Sequence, residues 1–229
     1  MGTLGWVITA SADKTSVQGE THYVNDTIYS CHTSCNLLNA GTFQSELETV
    51  ATWVKSHPYD VVTILIVNSD YVSVDKYIDP IQNSGLAPYL YEPPYVPMRL
   101  DDWPTLSNMI LKQKRVVVFM DYNANQTQVP YILDEFTHMW ETPFSPQNVS
   151  FPCTVQRPPT LTNQTTARDD YMYLANHNLN QDISLAGTSF LIPNTAALNT
   201  TNAAGTETGM LGAMAQTCDG EFQINEDAQ

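Results

Sequence analysis

The sequence predicts an α/β fold with a parallel sheet, and three observations carry that prediction. Two continuous apolar runs rich in β-branched residues, Val61–Val67 and Arg115–Asp121, have the length and character of strands covered on both faces. Each run follows a stretch with helical periodicity. Helix alternating with strand is the pattern of a parallel sheet with helices packed against it. No Gly-x-Gly-x-x-Gly and no Walker Gly-Lys-Ser/Thr pattern follows a strand. Nucleotide-binding architectures therefore lose ground, and a (β/α) barrel stands, with its chemistry at the C-terminal strand ends.

The elements follow in order. Gln18–Val24 and Thr27–Cys31 read as extended segments around an Asn25-Asp26 turn. Phe43, Leu47, Val50 and Val54 recur at spacings of 4, 3 and 4, one apolar stripe of a helix over 43–56. Thr42 is placed to cap that helix and Pro58 to end it before the first buried strand. Val74–Gln82 reads as a helix closed by Gly85. Leu106, Met109 and Ile110 mark a helix over 105–112 with Asp102 as its cap. Pro130–Trp140 reads as another helix, with Pro130 in its first turn. Tyr171–Asn176 reads as a strand and Met210–Cys218 as a short final helix. Loops rich in Pro, Asn and Thr fill 86–101, 141–166 and 193–208.

Composition excludes some partners. The 229 residues carry 24 acidic against 9 basic side chains, a formal charge of −15. A nucleic-acid binder needs a basic footprint, and only Lys112, Lys114 and Arg115 cluster here. The same charge opposes anionic membrane surfaces. No apolar run approaches the ~20 residues of a transmembrane helix. Hydrophobic content of 42% with only 14% charged residues predicts a chain that folds.

Four cysteines permit three pairings. Cys31-x3-Cys35 encloses His32, but no second Cys/His pair at metal-finger spacing accompanies it. A local Cys31–Cys35 bridge is the better reading, and it leaves Cys153 and Cys218 for a long-range bridge. Asn25, Asn125, Asn148, Asn163 and Asn199 each begin an Asn-x-Ser/Thr acceptor triplet. Together with the even cysteine count they place the protein in a secreted, extracellular or cell-wall setting. The first ten residues, MGTLGWVITA, form a short apolar run without a basic start, which is not a convincing signal peptide. Residues 1–16 are read as a non-native or disordered segment, and 219–229 as an acidic disordered tail.

Polar groups gather where the predicted strands end. His32 follows Thr27–Cys31, Asn68 and Asp70 follow Val61–Val67, Asp121 and Tyr122 close Arg115–Asp121, and Asn176 and His177 close the Tyr171 strand. Histidines, aspartates and asparagines converging on one mouth suit acid/base chemistry on an ester. Each also has a plain structural role open to it. His32 can fill space beside a disulfide, and Asp121 can cap a turn. Asn68 and Asp70 can form an Asx-turn, and Asn176 and His177 can satisfy loop backbone. His22, His57 and His138 lack comparable placement and are read as structural or exposed. Asp70 and Asp121 are the carboxylates a barrel glycosidase would pair, at a separation of about 5–9.5 Å.

Six blocks carry a resemblance over about residues 17–218. They are Gln18-Gly-Glu-Thr-His-Tyr23, Tyr29-Ser-Cys-His-Thr-Ser-Cys35, His57-Pro-Tyr-Asp-Val-Val-Thr63, Asp101-Asp-Trp-Pro-Thr-Leu106, Lys114-Arg-Val-Val-Val-Phe-Met-Asp-Tyr122 and Ala175-Asn-His-Asn-Leu-Asn180. The chain resembles fungal secreted proteins of the phosphatidylinositol-specific phospholipase C X-domain-like group, the PLC-like phosphodiesterases with a TIM barrel. The Cys-His and Asp-Trp-Pro-Thr blocks in combination are the specific part.

The resemblance implies a metal-independent mechanism with two histidines and no cofactor. One is the general base on an inositol hydroxyl and the other the general acid on the leaving oxygen, with an arginine stabilising the phosphorane-like charge. By position His32 matches the general acid. Glu20, Asn68, Asp70, Asp121, Tyr122, Asn176 and His177 are the expected substrate-contacting set. The partner implied is a small-molecule or lipid head-group phosphodiester. Two departures stand beside the match. No histidine precedes His22, and Glu20 falls at the arginine position. If a divalent cation served instead, Glu20 and Asp121 would be its oxygen ligands, though no spacing motif supports that. The chain also reads as a barrel lacking its first and last strands, a domain truncated at both ends. The alternative is thus a non-catalytic secreted barrel protein binding an inositol phosphate or a glycan.

Overall fold

A computed structural model describes residues 7–11, 14–32, 34–163, 170–185 and 188–222. The polypeptide divides into two compact units. The first comprises residues up to Met98 with Asp102–Thr137, and the second Arg99–Asp101 with the residues from His138 onward.

The first unit is a mixed α/β layer built on one sheet. Its strands are β1 (Val7–Ser11), β2 (Lys14–Val24), β3 (Thr27–Cys31), β4 (Asn39–Thr42), β5 (Val61–Asn68), β6 (Val116–Met120) and β7 (Ile132–Asp134). The order is β4-β3-β2-β5-β6-β7, with β1 added antiparallel on the start of β2. β2, β5, β6 and β7 run parallel, whereas β3 turns back antiparallel on β2 through Asn25 and Asp26, both at positive φ. Two adjacent positive-φ residues suit the tight hairpin turns that match strand twist.

Alternation sorts the sheet into two faces. Val17, Val62, Ile64, Ile66, Val116, Val118, Met120 and Ile132 form one buried face. Helix α1 (Phe43–Ser56) packs there through Phe43, Leu47, Ala51 and Val54, each at most 1% exposed. Phe43, Leu47 and Val54 each contribute roughly 1.5–3 kcal/mol of hydrophobic burial. Thr42 caps the helix as expected, accepting the amide hydrogen of Ser45 at 3.2 Å, and His57 closes it ahead of Pro58. Val74–Gln82 is helical too, as a 3-10 turn (Val74–Tyr77) running into α2 (Ile78–Asn83).

Arg115 differs from its sequence neighbours Lys112 and Lys114, which are exposed. It is 1% exposed, and its guanidinium donates to the carbonyls of Val54, His57 and Asp60 at 2.6–3.0 Å. Burial lowers its pKa. It thereby satisfies carbonyls that the last turn of α1 leaves without intrahelical partners. The three-cation cluster of the sequence is therefore a two-cation surface and one structural arginine.

Three local expectations are corrected. Thr105, not Asp102, caps α3 (Leu106–Leu111), through a 3.3 Å bond from the Asn108 amide. β2 begins at Lys14, because its first half pairs with both β1 and β5. The helix expected over Pro130–Trp140 is instead β7, a single helical turn over Glu135–His138, and β8 (Met139–Glu141). Ile132, Leu133 and Asp134 find parallel partners in Val118, Phe119 and Met120, and that pairing overrides the local helical period.

The second unit holds β8 parallel to β9 (Met172–Leu174), a hairpin of β10 (Asn180–Leu185) and β11 (Thr188–Pro193), and a closing helix Leu211–Phe222. Its core gathers Trp140, Phe151, Val155, Leu161 and Met214 around the Cys153–Cys218 disulfide. Both expected disulfides are present, and no described cysteine is free. The acidic tail expected over 219–229 overlaps this helix as far as Phe222. Residues 223–229, like residues 1–6, lie outside the described residues.

Candidate active site

The parallel register of β2 and β5 sets Glu20 opposite Val67 and Thr21 opposite Asn68. Alternation then turns Thr21 into the core, where it is 1% exposed and bonded to the Tyr77 hydroxyl at 2.7 Å. Glu20 and His22 project from the opposite face. Beyond Asn68 the chain turns through Ser69, Asp70 and Tyr71, the last at positive φ. The hairpin brings the end of β3 back beside β2, Ser30 opposite Thr21, so that His32 arrives next to Glu20.

The result is a continuous polar chain. Asp70 Oδ1 lies 3.0 Å from His22 Nδ1, and His22 Nε2 lies 3.1 Å from Glu20 Oε1. Glu20 Oε2 lies 3.0 Å from His32 Nδ1. Ser69 Oγ donates to Glu20 Oε1 at 3.2 Å, and the Tyr23 amide donates to Asp70 Oδ2 at 2.7 Å. Exposure rises outward. The His22 side chain is 14% exposed, that of Glu20 25%, and that of His32 64%. The Cys31–Cys35 bridge and a 3.1 Å bond from the His32 amide to the Leu38 carbonyl hold the loop that presents His32. A cavity of about 380 Å³ opens beside the chain, lined by His22, Val24, Ser34, Cys35, Asn36 and Asp70.

Asn68 and Asp121 sit beneath this surface. Asn68 is 0% exposed; its amide nitrogen donates to the carbonyls of Val72 and Tyr122, and its carbonyl oxygen accepts from Val72 N–H and the Tyr77 hydroxyl. Asp121, 2% exposed, accepts the Asn68 and Tyr122 amides on Oδ1, both at 2.8 Å. These bonds tie together the two loops after β5 and β6, one of which carries Ser69 and Asp70. Burial pushes the Tyr77 hydroxyl well above the usual phenol range. Tyr122 is half-buried and its ring packs 5.0 Å from Tyr71 and 5.8 Å from Phe136.

Asn176 and His177 belong to the second unit. Asn176 Nδ2 donates to the Thr142 carbonyl at 3.0 Å and to Glu141 Oε2 at 3.3 Å. Glu141, 0% exposed, is paired with Arg157 at 2.6 Å. His177 stacks on Phe151, with ring centroids 3.7 Å apart, and meets Met214 Sδ at 3.1 Å; burial lowers its pKa.

Glu20, Asp70 and His32 therefore share one cluster, while Asn68, Asp121 and Tyr122 form the layer that holds its loops. His22 and Ser69 are additions that sequence reading did not select. Their signal was the strand alternation Glu20-x-His22, but only the pairing of β2 with β5 sets Asp70 and Ser69 beside it. Glu141 gives no such signal, because it opens the 141–166 segment, which reads as a loop. Asp70 and Asp121 do not stand together as an exposed carboxylate pair. Glu20 and Asp121 likewise serve different partners. Among the described residues, no three His, Cys, Asp or Glu side chains are arranged to hold a metal ion.

The sequence matches known proteins over most of its length. The family model described as PI-PLC X 1 matches residues 14–227. An uncharacterized secreted protein of Arthroderma benhamiae is 57% identical over 202 residues, covering 88% of this chain and 45% of that protein. A PI-PLC X domain-containing protein 1 of the same fungus is 39% identical over 205 residues, covering 88% of this chain and 64% of that protein. A PI-PLC X domain-containing protein of Arabidopsis thaliana is 29% identical over 109 residues, 45% of this chain and 25% of that protein. The chain thus spans about half to two thirds of the two fungal relatives. No solved structure matches.

Proposed function

The chain belongs to the PI-PLC X domain family, and on that premise we propose that it acts as a phosphoric diester hydrolase or lyase on phosphoinositide- or glycerophosphodiester-type substrates. The observation that carries this reading is the His32–Glu20 pair. Carboxylate oxygens only accept, so the 3.0 Å contact holds the proton of His32 on Nδ1 and leaves Nε2 turned to solvent. Nε2 has no hydrogen-bond partner among the described residues. A protonated Nε2 gives its hydrogen to the leaving alkoxide as the phosphorus–oxygen bond breaks, while an inositol hydroxyl loses its own proton to solvent water and closes on phosphorus. The neutral ring then accepts a proton from the water that opens the cyclic phosphate.

The parallel run β2-β5-β6-β7, with α1 and α2 on one face, supports a (β/α) barrel as the parent architecture. Secretion is supported by the named secreted relative, by the two disulfides, and by the exposure of Asn25, Asn125, Asn148, Asn163 and Asn199. No described helix is long and apolar enough to cross a membrane.

A second reading has its own observation. Glu20 stands where the resemblance implies a phosphate-stabilising arginine, and a carboxylate there disfavours a developing phosphate anion. That favours a non-catalytic protein that binds an inositol phosphate or a glycan. The two readings separate in one assay on secreted, disulfide-intact protein. Release of inositol phosphate from phosphatidylinositol or glycerophosphoinositol, lost in His32→Ala, supports catalysis. No release, with saturable binding of inositol phosphate that His32→Ala weakens, supports the binding protein.

A further inference from the structure

We propose that His22 and Asp70 are positioning residues for His32, acting through Glu20. The geometry separates the roles of the two histidines. Both ring nitrogens of His22 face carboxylate oxygens, Asp70 on one side at 3.0 Å and Glu20 on the other at 3.1 Å. Neither oxygen can donate, so both contacts are satisfied only when both nitrogens carry hydrogen. A ring held in that way has no nitrogen left for substrate. His32 has one nitrogen engaged and one in solvent, so it alone is placed to exchange a proton with a bound molecule.

Glu20 is the hinge of the arrangement. Its Oε1 accepts from His22 and from Ser69, and this fixes the carboxylate plane that aims Oε2 at His32. Asp70 fixes His22 in turn, and is itself pinned to β2 by the Tyr23 amide. The chain joins β2, the loop after β3 and the loop after β5, three segments that only the sheet brings together. Charge-assisted bonds of this kind are the strong ones, and here they cross the hairpin in series.

The assignment of positioning roles rests on the reading of His32 as an acid/base group, but its test does not require turnover. The measurement is the ring-nitrogen NMR of nitrogen-15-labelled protein, which reports which nitrogen of each histidine carries hydrogen. The native protein is expected to show hydrogen on His32 Nδ1 and on both nitrogens of His22. Asp70→Asn keeps an acceptor for the Tyr23 amide, so the fold is retained. It is expected to remove one His22 N–H signal and at least halve the population of His32 with hydrogen on Nδ1. His22→Gln, which reaches Glu20 but not both carboxylates, should do the same to His32. A His32 signal unchanged in both variants overturns the proposal, even if Glu20→Gln alters it. If the protein cleaves phosphodiesters, Asp70→Asn should lower kcat about tenfold with KM little changed. Absent cleavage with the expected spectra would sink the phosphodiesterase reading and leave the positioning chain standing.

Discussion

Glu20 and His32 meet at 3.0 Å across the β2–β3 hairpin, on a carboxylate whose other oxygen is already held by His22 and Ser69. The contact orders an otherwise exposed imidazole. Glu20→Gln keeps the size of the side chain but presents either an amide N–H or a weaker acceptor to His32. It is expected to lower phosphodiester cleavage about 100-fold, against complete loss in His32→Ala. A Glu20→Gln enzyme with native kcat would show that the pair has no part in the reaction.

Glu46 lies in the first turn of α1, and burial raises its carboxyl to about 7, partly offset by the nearby Ser30 hydroxyl. Its unfolded counterpart titrates near the ordinary 4.5. Between those values the folded protein holds a proton that the unfolded chain has released. Stability from this site is therefore present below about pH 4.5 and lost as pH rises to about 7. Glu46→Gln should raise Tm at pH 8 and leave it nearly unchanged at pH 4. Equal Tm gains at both values would contradict the assignment.

Arg115 serves three carbonyls with one planar fork. Arg115→Met fills much of the volume but strands those acceptors, and should cost about 3 kcal/mol by denaturant unfolding. Arg115→Lys should recover only part of that, since a single ammonium cannot span three carbonyls in the same geometry. Full recovery by lysine would mean that charge alone suffices.

The two disulfides close loops of very different length, with sequence separations of 4 and 65. Replacing Cys153 and Cys218 by serine or alanine should cost about 4 kcal/mol, and replacing Cys31 and Cys35 about 2 kcal/mol. The smaller loss should carry the larger functional effect, because that bridge borders His32. Paired denaturation and cleavage measurements on the two double variants test the inversion.

Asn25, Asn125, Asn148, Asn163 and Asn199 all lie on exposed backbone segments. Protein secreted from a fungal host should shift to lower mass on enzymatic removal of N-glycans, and each Asn→Gln change should remove one increment. No shift in any form would remove N-glycans as support for a secretory route.

Much of the fold is legible because it is local. The Phe43-Leu47-Val54 stripe, the Thr42 cap, the β-branched runs of β5 and β6, and the Asn25-Asp26 turn are consequences of side-chain spacing and backbone preference within a few residues. The disulfide pairs followed from the short Cys31-x3-Cys35 spacing, which leaves Cys153 and Cys218 for each other. Residues 130–140 resisted for the opposite reason. Their period suits a helix, but β6 offers Ile132 and Leu133 a buried strand position, and long-range pairing outweighs local preference.

The site divides in the same way. Sequence alone determined that His32, Glu20 and Asp70 are polar groups at or beside strand ends, in a chain of the PI-PLC X type, acidic and cysteine-paired. Tertiary structure alone decided that Asp70, His22, Glu20 and His32 form one chain, and that Asn68 and Asp121 lie under it as buried struts. The reason is the register of β2 against β5, which brings Glu20 level with Val67 and so delivers Ser69 and Asp70 to His22 and Glu20. Register is set by which apolar faces are buried together across the sheet, and no stretch of sequence carries that information by itself.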